Sequence, residues 1–364
     1  MRVAQRGSAK GARACTVAEG HVERSEDARH IDTLAGIPWG RFALAAGIVL
    51  CGLSGIARAQ VSPAETLLIQ HAIGPRVEAL TILGGDFGLS DGEFHTTEVP
   101  GSRATVAVDT NVDKFGGDGE VGSPRPLGTL HIAWQPLVQG NIGYLQSRTQ
   151  LPEAQFGGAV NEFRTLAVEF GGGVRLWTTD RLSFAPTVMV LYGHTDDDYS
   201  VSSLPGPSSV TQLRELGLID WSIETWSLRP ALNVQYVLPV SSMIFTFSSD
   251  AVGFFTHGFG RSNIHLLVGG NAGFVTNKLD LDIPLGVELF GRELHTGGYL
   301  SRTDLLGDLR QGLDVQHLNE LHGRLVLKFP KPYWGMQWIG LGASYLWGTH
   351  IEGWTVGADV QFFF

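Results

Sequence analysis

The C-terminal segment of this 364-residue chain alternates between apolar side chains on one face and mostly polar side chains on the other. Successive side chains of a β-strand point to opposite faces, so a period of two residues collects each class on one side. The apolar face comprises Trp354, Val356, Ala358, Val360, Phe362 and Phe364, and the opposite face comprises Thr355, Gly357, Asp359 and Gln361. The segment is therefore predicted to be a strand with one side against a hydrophobic environment.

The same alternation recurs along the chain, most clearly in the segment 165–177. There Leu166 and Val168 share one face, and Glu169 lies on the other. Each such segment has about 9 to 15 residues, the length that crosses a bilayer at a tilt of roughly 40°. The predicted strands are 104–113, 127–135, 137–147, 165–177, 182–194, 225–238, 243–257, 262–275, 279–290, 319–329, 337–349 and 353–364. We therefore predict an all-β fold: a 12-stranded antiparallel transmembrane β-barrel over 104–364, with a short N-terminal helix.

The connections between these segments alternate in length, as they do in outer-membrane barrels, which have short periplasmic turns and longer external loops. The predicted short joints are Gln135-Pro136, 178–181, 239–242, 276–278 and 330–337. The predicted external joints include 114–126, 148–163, 195–224 and 291–318, which are rich in Gly, Asp, Ser and Pro. An even strand number puts both ends of the barrel on the periplasmic side.

Residues 1–59 are predicted to be an N-terminal extension and a secretory signal peptide. The apolar run 42–56 follows Arg41 and precedes Ala57-Arg58-Ala59, a small-x-small cleavage pattern. At about 15 residues the run is shorter than the roughly 20 that a spanning helix needs. Cleavage after Ala59 removes Cys15 and Cys51, the two cysteines of the chain. The mature protein then has no thiol for catalysis or metal binding.

The charge of the mature chain argues against nucleic acid as a partner. Removal of residues 1–59 takes away 8 of the 26 Lys and Arg and 5 of the 36 Asp and Glu, which leaves 18 against 31 and a formal net charge of −13. Phosphate binding needs a basic surface.

A soluble β-sandwich, with its apolar faces inside, produces the same alternation, and an exported soluble β-domain stays an alternative. The signal peptide, the order of the loop lengths and the closing aromatic residue favour the membrane barrel. Aromatic side chains near strand ends also match the girdles that flank the apolar band of such barrels. They are Trp134, Tyr144, Tyr192, Trp226, Tyr236, Tyr345, Trp347 and Trp354.

The segment 60–103 precedes the predicted barrel. Ser62-Pro63-Ala64-Glu65 is a capping box with Pro at the first helical position, and Gly74-Pro75 ends or kinks the helix that follows. One interpretation is a plug-like helix inside the lumen. The other is a short periplasmic helix that only precedes the barrel.

Twelve strands of this length, a preceding helix and an aromatic C-terminus resemble the translocator barrel of autotransporters. In that resemblance the outer-membrane assembly machinery reads the terminal strand as its signal, formed here by Val356, Ala358, Val360, Phe362 and Phe364. Autotransporters carry a large passenger before the barrel, for which 60–103 leaves no room. The chain is thus similar to solitary autotransporter-like barrels. This resemblance implies a Gram-negative outer-membrane location, with lipid and the assembly machinery as partners.

The strand parity also predicts which charges face the lumen. The expected acids are Asp109, Asp113, Glu169, Asp250, Asp280, Asp282, Glu288, Glu320 and Asp359, and the expected bases are Arg175, Arg229, Arg324 and Lys328. In an open, hydrated lumen an excess of carboxylates would favour cations among small solutes. Alternatively these charges pair with one another and fill the interior.

No catalytic residue, cofactor site or metal site is predicted. Barrel enzymes that modify lipids place a His and a Ser close together on one strand, whereas His257 and Ser262 are five residues apart in a predicted external joint. Asp109, Asn111 and Asp113 match part of a calcium loop, but Lys114 stands where that loop needs Gly. We therefore expect a non-enzymatic pore or surface scaffold, with a lipid-modifying enzyme on the barrel wall as the alternative.

Overall fold

The computed structural model describes residues 89–96, 108–127, 132–150, 160–200, 220–259, 269–313, 315–333, 336–349 and 351–363. The strands are β1 (Leu89–Thr96), β2 (Val108–Glu120), β3 (Arg125–Pro126), β4 (Ala133–Gln150), β5 (Val160–Trp177), β6 (Leu182–Ser200), β7 (Ser222–Val240), β8 (Met243–Phe259), β9 (Gly269–Leu289), β10 (Arg292–Gly307), β11 (His317–Tyr333), β12 (Met336–Gly348) and β13 (Ile351–Phe363). One short helix, α1 (Asp308–Leu313), follows β10. No helix in these ranges is long and apolar enough to span a membrane. The predicted signal peptide and N-terminal helix lie outside the described residues.

The sheet closes on itself. From β4 to β13 each strand pairs antiparallel with the next, and β2 pairs with β4. The eight residues of β1 lie between β2 and β13, pairing antiparallel with both, and so close the ring. Beyond β1, the ends of β13 and β2 pair directly through Phe362 and Gly119. The two-residue β3 pairs with the start of β4, and the other twelve strands form the ring. The predicted 12-stranded antiparallel barrel is confirmed.

The alternation of the sequence appears in the structure as an alternation of burial. In β5, Thr165, Ala167 and Glu169 are buried. Their neighbours Val168 and Phe170 are 42% and 67% exposed. The same holds in β6, and the exposed side chains of neighbouring strands lie opposite one another in the register. Across β5 and β6 the wall therefore has an apolar outer face and a mixed inner face.

The two ends of the barrel differ in their connections. At one end tight turns join the strands at 178–181, 241–242 and 290–291. Ser241, Phe290 and Gly291 have positive φ angles of 56°, 54° and 70°, the left-handed geometry that suits two-residue hairpin turns. At the other end the connections are mostly longer, as at 97–107, 151–159, 201–221, 260–268 and 308–316. The barrel therefore has the predicted short-turn end and long-loop end.

Several predicted strand boundaries are wrong, although the count is right. The predicted strands 127–135 and 137–147 were separated at Pro136, but β4 (Ala133–Gln150) runs through this proline as one strand. The predicted joint 276–278 lies within a single strand, β9 (Gly269–Leu289), which includes the described part of the first neighbouring segment and most of the second. The joint 114–126 lies largely within β2 and at the short-turn end of the barrel. A proline and a polar run were interpreted as turns, but the Pro136 carbonyl accepts a hydrogen bond from Val121 N at 2.9 Å and the strand continues.

Two strands were missed for a single reason. The strand β1 lies within the predicted plug-like segment, and β10 lies within a predicted external joint. Their outer faces carry polar side chains: β1 exposes Asp91 and His95, and β10 exposes Arg302 at 55% between the exposed Leu300 and Leu306. These polar side chains interrupt the apolar outer face by which a membrane-spanning strand is detected. Two strands, β4 and β9, were each predicted as two, and two strands, β1 and β10, were not predicted, so the predicted number of strands is still twelve.

The interior of the long-loop half contains an apolar cluster, beside buried polar side chains such as Thr165 and Thr195. Fourteen buried side chains form one cluster, and every long strand except β7 contributes to it. Ala231 of β7 packs against the same cluster. The helix α1 adds Leu309, which is 0% exposed. The cluster consists of Phe94, Val112, Leu145, Ala167, Leu191, Val252, Phe254, Phe274, Leu305, Leu309, Val315, Leu318, Leu346 and Ile351.

Candidate functional site: the inner wall

All four predicted lumen bases make ion pairs with carboxylates. They follow one pattern, in which the base reaches over one intervening strand to an acid two strands away. The pairs are Arg175–Glu120 at 2.8 Å, Arg229–Glu169 at 2.5 Å, Arg324–Asp280 at 2.8 Å and Lys328–Asp282 at 2.6 Å. The long Arg and Lys side chains thus lie along the inner wall. Each ion pair links the two strands on either side of an intervening strand.

The pair between Arg229 and Glu169 is the most buried. The Glu169 side chain is 3% exposed and that of Arg229 is 17% exposed. Asn141 Nδ2 donates to the second carboxylate oxygen at 3.1 Å, so both oxygens of Glu169 are bonded. The Arg229 guanidinium also lies 5.8 Å from the ring centroid of Phe254. Because these partners compensate the carboxylate, it can stay charged inside the barrel.

A second charged group joins β9, β10 and β11. Asp282 accepts from Lys328 Nζ and also lies 3.1 Å from His295 Nδ1. His295 is 6% exposed, and its Nε2 is 3.4 Å from Glu293. Neither His295 nor Glu293 was predicted, since β10 was taken for a loop. A polar chain therefore runs along this wall near the short-turn end.

The remaining predicted lumen acids differ in their surroundings. Asp250 accepts from Asn233 Nδ2 at 2.7 Å, and Glu320 accepts from the Tyr299 hydroxyl at 2.8 Å. Glu288 is exposed near the short-turn end. The Asp359 side chain lies outside the described residues. That these groups face an aqueous lumen stays a prediction.

Asp109 and Asp113 were predicted to face the lumen, and the register contradicts this. Both share a face of β2 with Phe115, which is 63% exposed, whereas Val112 on the opposite face is fully buried. The Asp109 side chain is itself 62% exposed. The prediction failed because the valines of this segment were taken for the lipid-facing side. They instead face the apolar interior of the long-loop half.

Glu120 was missed, because it was assigned to an external joint. It lies at the end of β2 on the inner wall, where it binds Arg175. Only the register between β2, β4 and β5 brings the two residues together, and they are 55 positions apart in the sequence. No pattern within a short stretch of the sequence predicts such a pair.

The residues predicted to form the C-terminal assembly signal belong to β13 up to Phe363. Val356 is 44% exposed on the outer face. The side chains of Val360 and Phe362, and all of Phe364, lie outside the described residues. Their role in assembly stays a prediction.

The histidine considered for catalysis is part of the wall. His257 lies in β8 rather than in a loop, with its ring 6.2 Å from that of Trp226, and Ser262 lies outside the described residues. A different His–Ser contact exists inside the barrel: His322 Nδ1 is 3.0 Å from Ser344 Oγ. Tyr299 stacks on the His322 ring at 4.5 Å. Sequence could not suggest this contact, because the residues lie on different strands.

Among the described residues, no group of three or more His, Cys, Asp or Glu side chains is placed to hold a metal ion. The calcium-loop interpretation of Asp109, Asn111 and Asp113 is wrong, because these residues lie in a continuous strand. Alternate residues along a strand are too far apart to converge on one cation.

A family model described as solitary outer membrane autotransporter beta-barrel domain matches residues 126–358. The chain belongs to this family. It is therefore an outer-membrane β-barrel, as the C-terminal alternation predicted. No curated protein matches the sequence significantly.

The chain is also similar to solved autotransporter barrels, with low sequence identity. The β domain of the Bordetella autotransporter BrkA is 13% identical, with 75% of this chain and 98% of that chain covered and a TM-score of 0.46. The transport unit of the autotransporter AIDA-I from Escherichia coli is 8% identical, with 80% and 99% covered and a TM-score of 0.49. The translocator domain of NalP from Neisseria meningitidis is 13% identical, with 83% and 99% covered and a TM-score of 0.41. The assignment of the chain to its family rests on the match to the family model and not on these structures.

Removing one partner of the buried pair should destabilise the barrel more than removing both. Arg229→Met leaves the Glu169 carboxylate buried and without its cation, at an expected cost of about 3–5 kcal/mol. The double variant Arg229→Met/Glu169→Gln should recover most of that loss. Urea unfolding of the refolded protein in lipid, followed by tryptophan fluorescence, measures both. Equal stability of the single and double variants would contradict this assignment.

Proposed function

We propose that this protein is a non-enzymatic outer-membrane scaffold with a closed interior, rather than an open pore. The observation that carries the proposal is the apolar cluster in the long-loop half. A water-filled channel needs a polar lining along its whole length. The cluster instead offers a ring of aliphatic and aromatic side chains.

The helix α1 also fills the interior, because it follows the wall strand β10 and its Leu309 side chain packs in the cluster. Asp308 at its start accepts a hydrogen bond from the backbone N of Asn271 at 2.7 Å, which fixes the helix against β9. Val315, just after the helix, is 1% exposed. The connection between β10 and β11 therefore packs inward as a cap instead of projecting from the barrel.

The arrangement of charge also favours a filled interior. A cation-selective pore would use carboxylates that are free to attract ions. Here each of the four predicted bases is paired, and Asp250 and Glu320 accept hydrogen bonds from Asn233 and Tyr299. The inner wall is thus held together by its charges.

A scaffold role fits the long-loop end, where the wall rises beyond its apolar band. Arg164 binds Glu162 at 2.7 Å and Asp198 at 3.1 Å on the outer face of β5 and β6. These strands lead into the segments 151–159 and 201–219. A rigid, polar rim of this kind would present the external segments at the cell surface.

Conductance of the purified protein in planar bilayers tests the closed interior. We expect wild-type protein to give no steady current. The variant Phe254→Ala/Leu309→Ala removes two of the buried cluster side chains and should open a measurable conductance. The matched control is Phe255→Ala/Leu306→Ala, which changes the same residue types on the outer face, where they are 53% and 48% exposed. A large wild-type current that neither variant alters would contradict the proposal.

The contact between His322 and Ser344 gives the enzyme alternative a specific test. Both side chains are buried, at 6% and 5% exposure, and His322 Nδ1 lies 3.0 Å from Ser344 Oγ. We expect a serine-directed fluorophosphonate probe to label wild type no more than Ser344→Ala. Ser227→Ala is the control, because Ser227 is equally buried but bonds Thr256 at 2.7 Å. Labelling lost only in Ser344→Ala would favour the enzyme.

A further inference from the structure

A row of polar side chains crosses the outer wall on β8 to β11. Its members lie side by side in the register and belong to the outer face by alternation; they are Ser249, Asn277, Arg302 and Asn319. The next row toward the short-turn end, on the same four strands, is entirely apolar and 50–57% exposed; it consists of Phe247, Leu279, Leu300 and Leu321. Exposed apolar side chains return closer to the long loops, at Phe255 and Leu306. The polar row therefore interrupts the apolar outer face.

Arg302 brings a charge to this row, and Asp304 follows it on the same face of β10. The two side chains are 55% and 43% exposed. Arg302 Nε and Nη2 both donate to the same oxygen, Asp304 Oδ1, at 3.1 and 2.9 Å. Within the described part of the chain, Arg302 Nη1 and Asp304 Oδ2 make no hydrogen bond. The ion pair thus keeps a donor and an acceptor for another molecule.

Asn277 lies between Ser249 and Arg302 in the row, and its side chain is exposed. Its amide, which has both donors and an acceptor, bonds to no residue that the structure describes. Hydrocarbon offers no hydrogen bonds, so a polar group that faces lipid is costly unless it finds a partner. A molecule that supplies these bonds would therefore bind here favourably.

The wall has few side-chain atoms beside the polar row. Ala251 follows Ser249 on the outer face of β8, and Gly253 and Gly273 lie opposite each other on β8 and β9. A neighbouring surface can come close to the backbone at such positions. Small residues that allow close approach, next to polar side chains that bond across the contact, are the features of helix contacts within membranes. The same physical reasons apply to two strand surfaces, which indicates a protein as the occupant.

The ion pair indicates which protein fits. In a two-fold symmetric contact the same surface patch of both copies meets. Arg302 of one copy then faces Asp304 of the second copy, and the reciprocal pair forms across the axis. Positions two apart on a strand are separated by about 6.6 Å, which an Arg side chain can span. The patch is therefore complementary in charge to itself, whereas a lipid phosphate attracted by Arg302 would be repelled by Asp304 beside it.

We propose that this polar patch, formed by Ser249, Asn277, Arg302 and Asp304, joins two copies of the chain into a dimer in the outer membrane. Arg302 and Asp304 form ion pairs across the two-fold axis, and Asn277 finds its hydrogen bonds in the same contact. The proposal rests on the outer-membrane location and not on a closed interior. Conductance and dimer formation can therefore fail separately.

Charge reversal tests the contact by sedimentation equilibrium of the whole mature protein in density-matched detergent. We expect wild type to dimerise. Arg302→Glu and Asp304→Arg should each raise the dissociation constant by about tenfold or more, because each places like charges opposite one another twice. An equimolar mixture of these two variants should dimerise again, since both cross pairs then have opposite charges.

Arg164→Glu is the matched control. Arg164 is also on the outer face, is 45% exposed and pairs with Glu162 and Asp198, but it lies on β5, away from the polar patch. Its reversal should leave the dissociation constant unchanged. Heat-modifiable gel migration verifies that each variant is folded.

Three outcomes would overturn the proposal. The first is a wild-type protein that stays monomeric at every concentration, including one that retains an anionic lipid through Arg302. The second is a dimer that Arg302→Glu does not weaken, which would place the contact elsewhere on the wall. The third is a mixture of Arg302→Glu and Asp304→Arg that stays monomeric, which would mean that the ion pair acts only within one chain.

Discussion

Backbone hydrogen bonding within lipid is the constraint on which the rest of this structure depends. No water is available in the hydrocarbon layer, so every peptide group of the wall must find its partner in a neighbouring strand. An open sheet would leave two edges unpaired, and closure removes both. The short strand β1 completes the ring by pairing with β2 and β13 at once. Once the ring is closed, strand geometry assigns alternate side chains to lipid and to the interior.

The two faces of the wall then follow different rules. Outside, most side chains are apolar and satisfy the lipid, with polar exceptions such as Asp91 in β1 and Arg302 in β10. Inside, charge is tolerated because partners offset it. Arg175, Arg229 and Arg324 each bridge to a carboxylate two strands away. Apolar side chains buried in the long-loop half add a hydrophobic contribution to the stability of the folded barrel.

Sequence alone could predict the strands whose outer faces are apolar. Strands such as β5, β7 and β13 follow from the period of two, and with them the fold class and the outer-membrane location. The strands β1 and β10 could not be found this way, because the outer face of one carries Asp91 and His95 and that of the other carries Arg302. Pro136 was interpreted as a turn, although the strand β4 continues through it.

The pairing of side chains depends on register, which a single sequence does not contain. The ion pair of Arg175 with Glu120 and the contact of His322 with Ser344 join residues on different strands. A shift of register by one residue would turn each of them to the other face. The wrong placement of Asp109 and Asp113 has this origin: the alternation of β2 was recognised, but the choice between its two faces was inverted.

The central claim is that the apolar face of each strand meets lipid while the other face is enclosed. Nitroxide labels at single cysteines introduced at positions 166–170 of β5, in a chain without Cys15 and Cys51, measure this directly in nanodiscs. The account predicts that collisions with lipid-soluble oxygen are frequent at Leu166, Val168 and Phe170 and rare at Ala167 and Glu169. Equal oxygen accessibility at all five positions, or the opposite alternation, would contradict it.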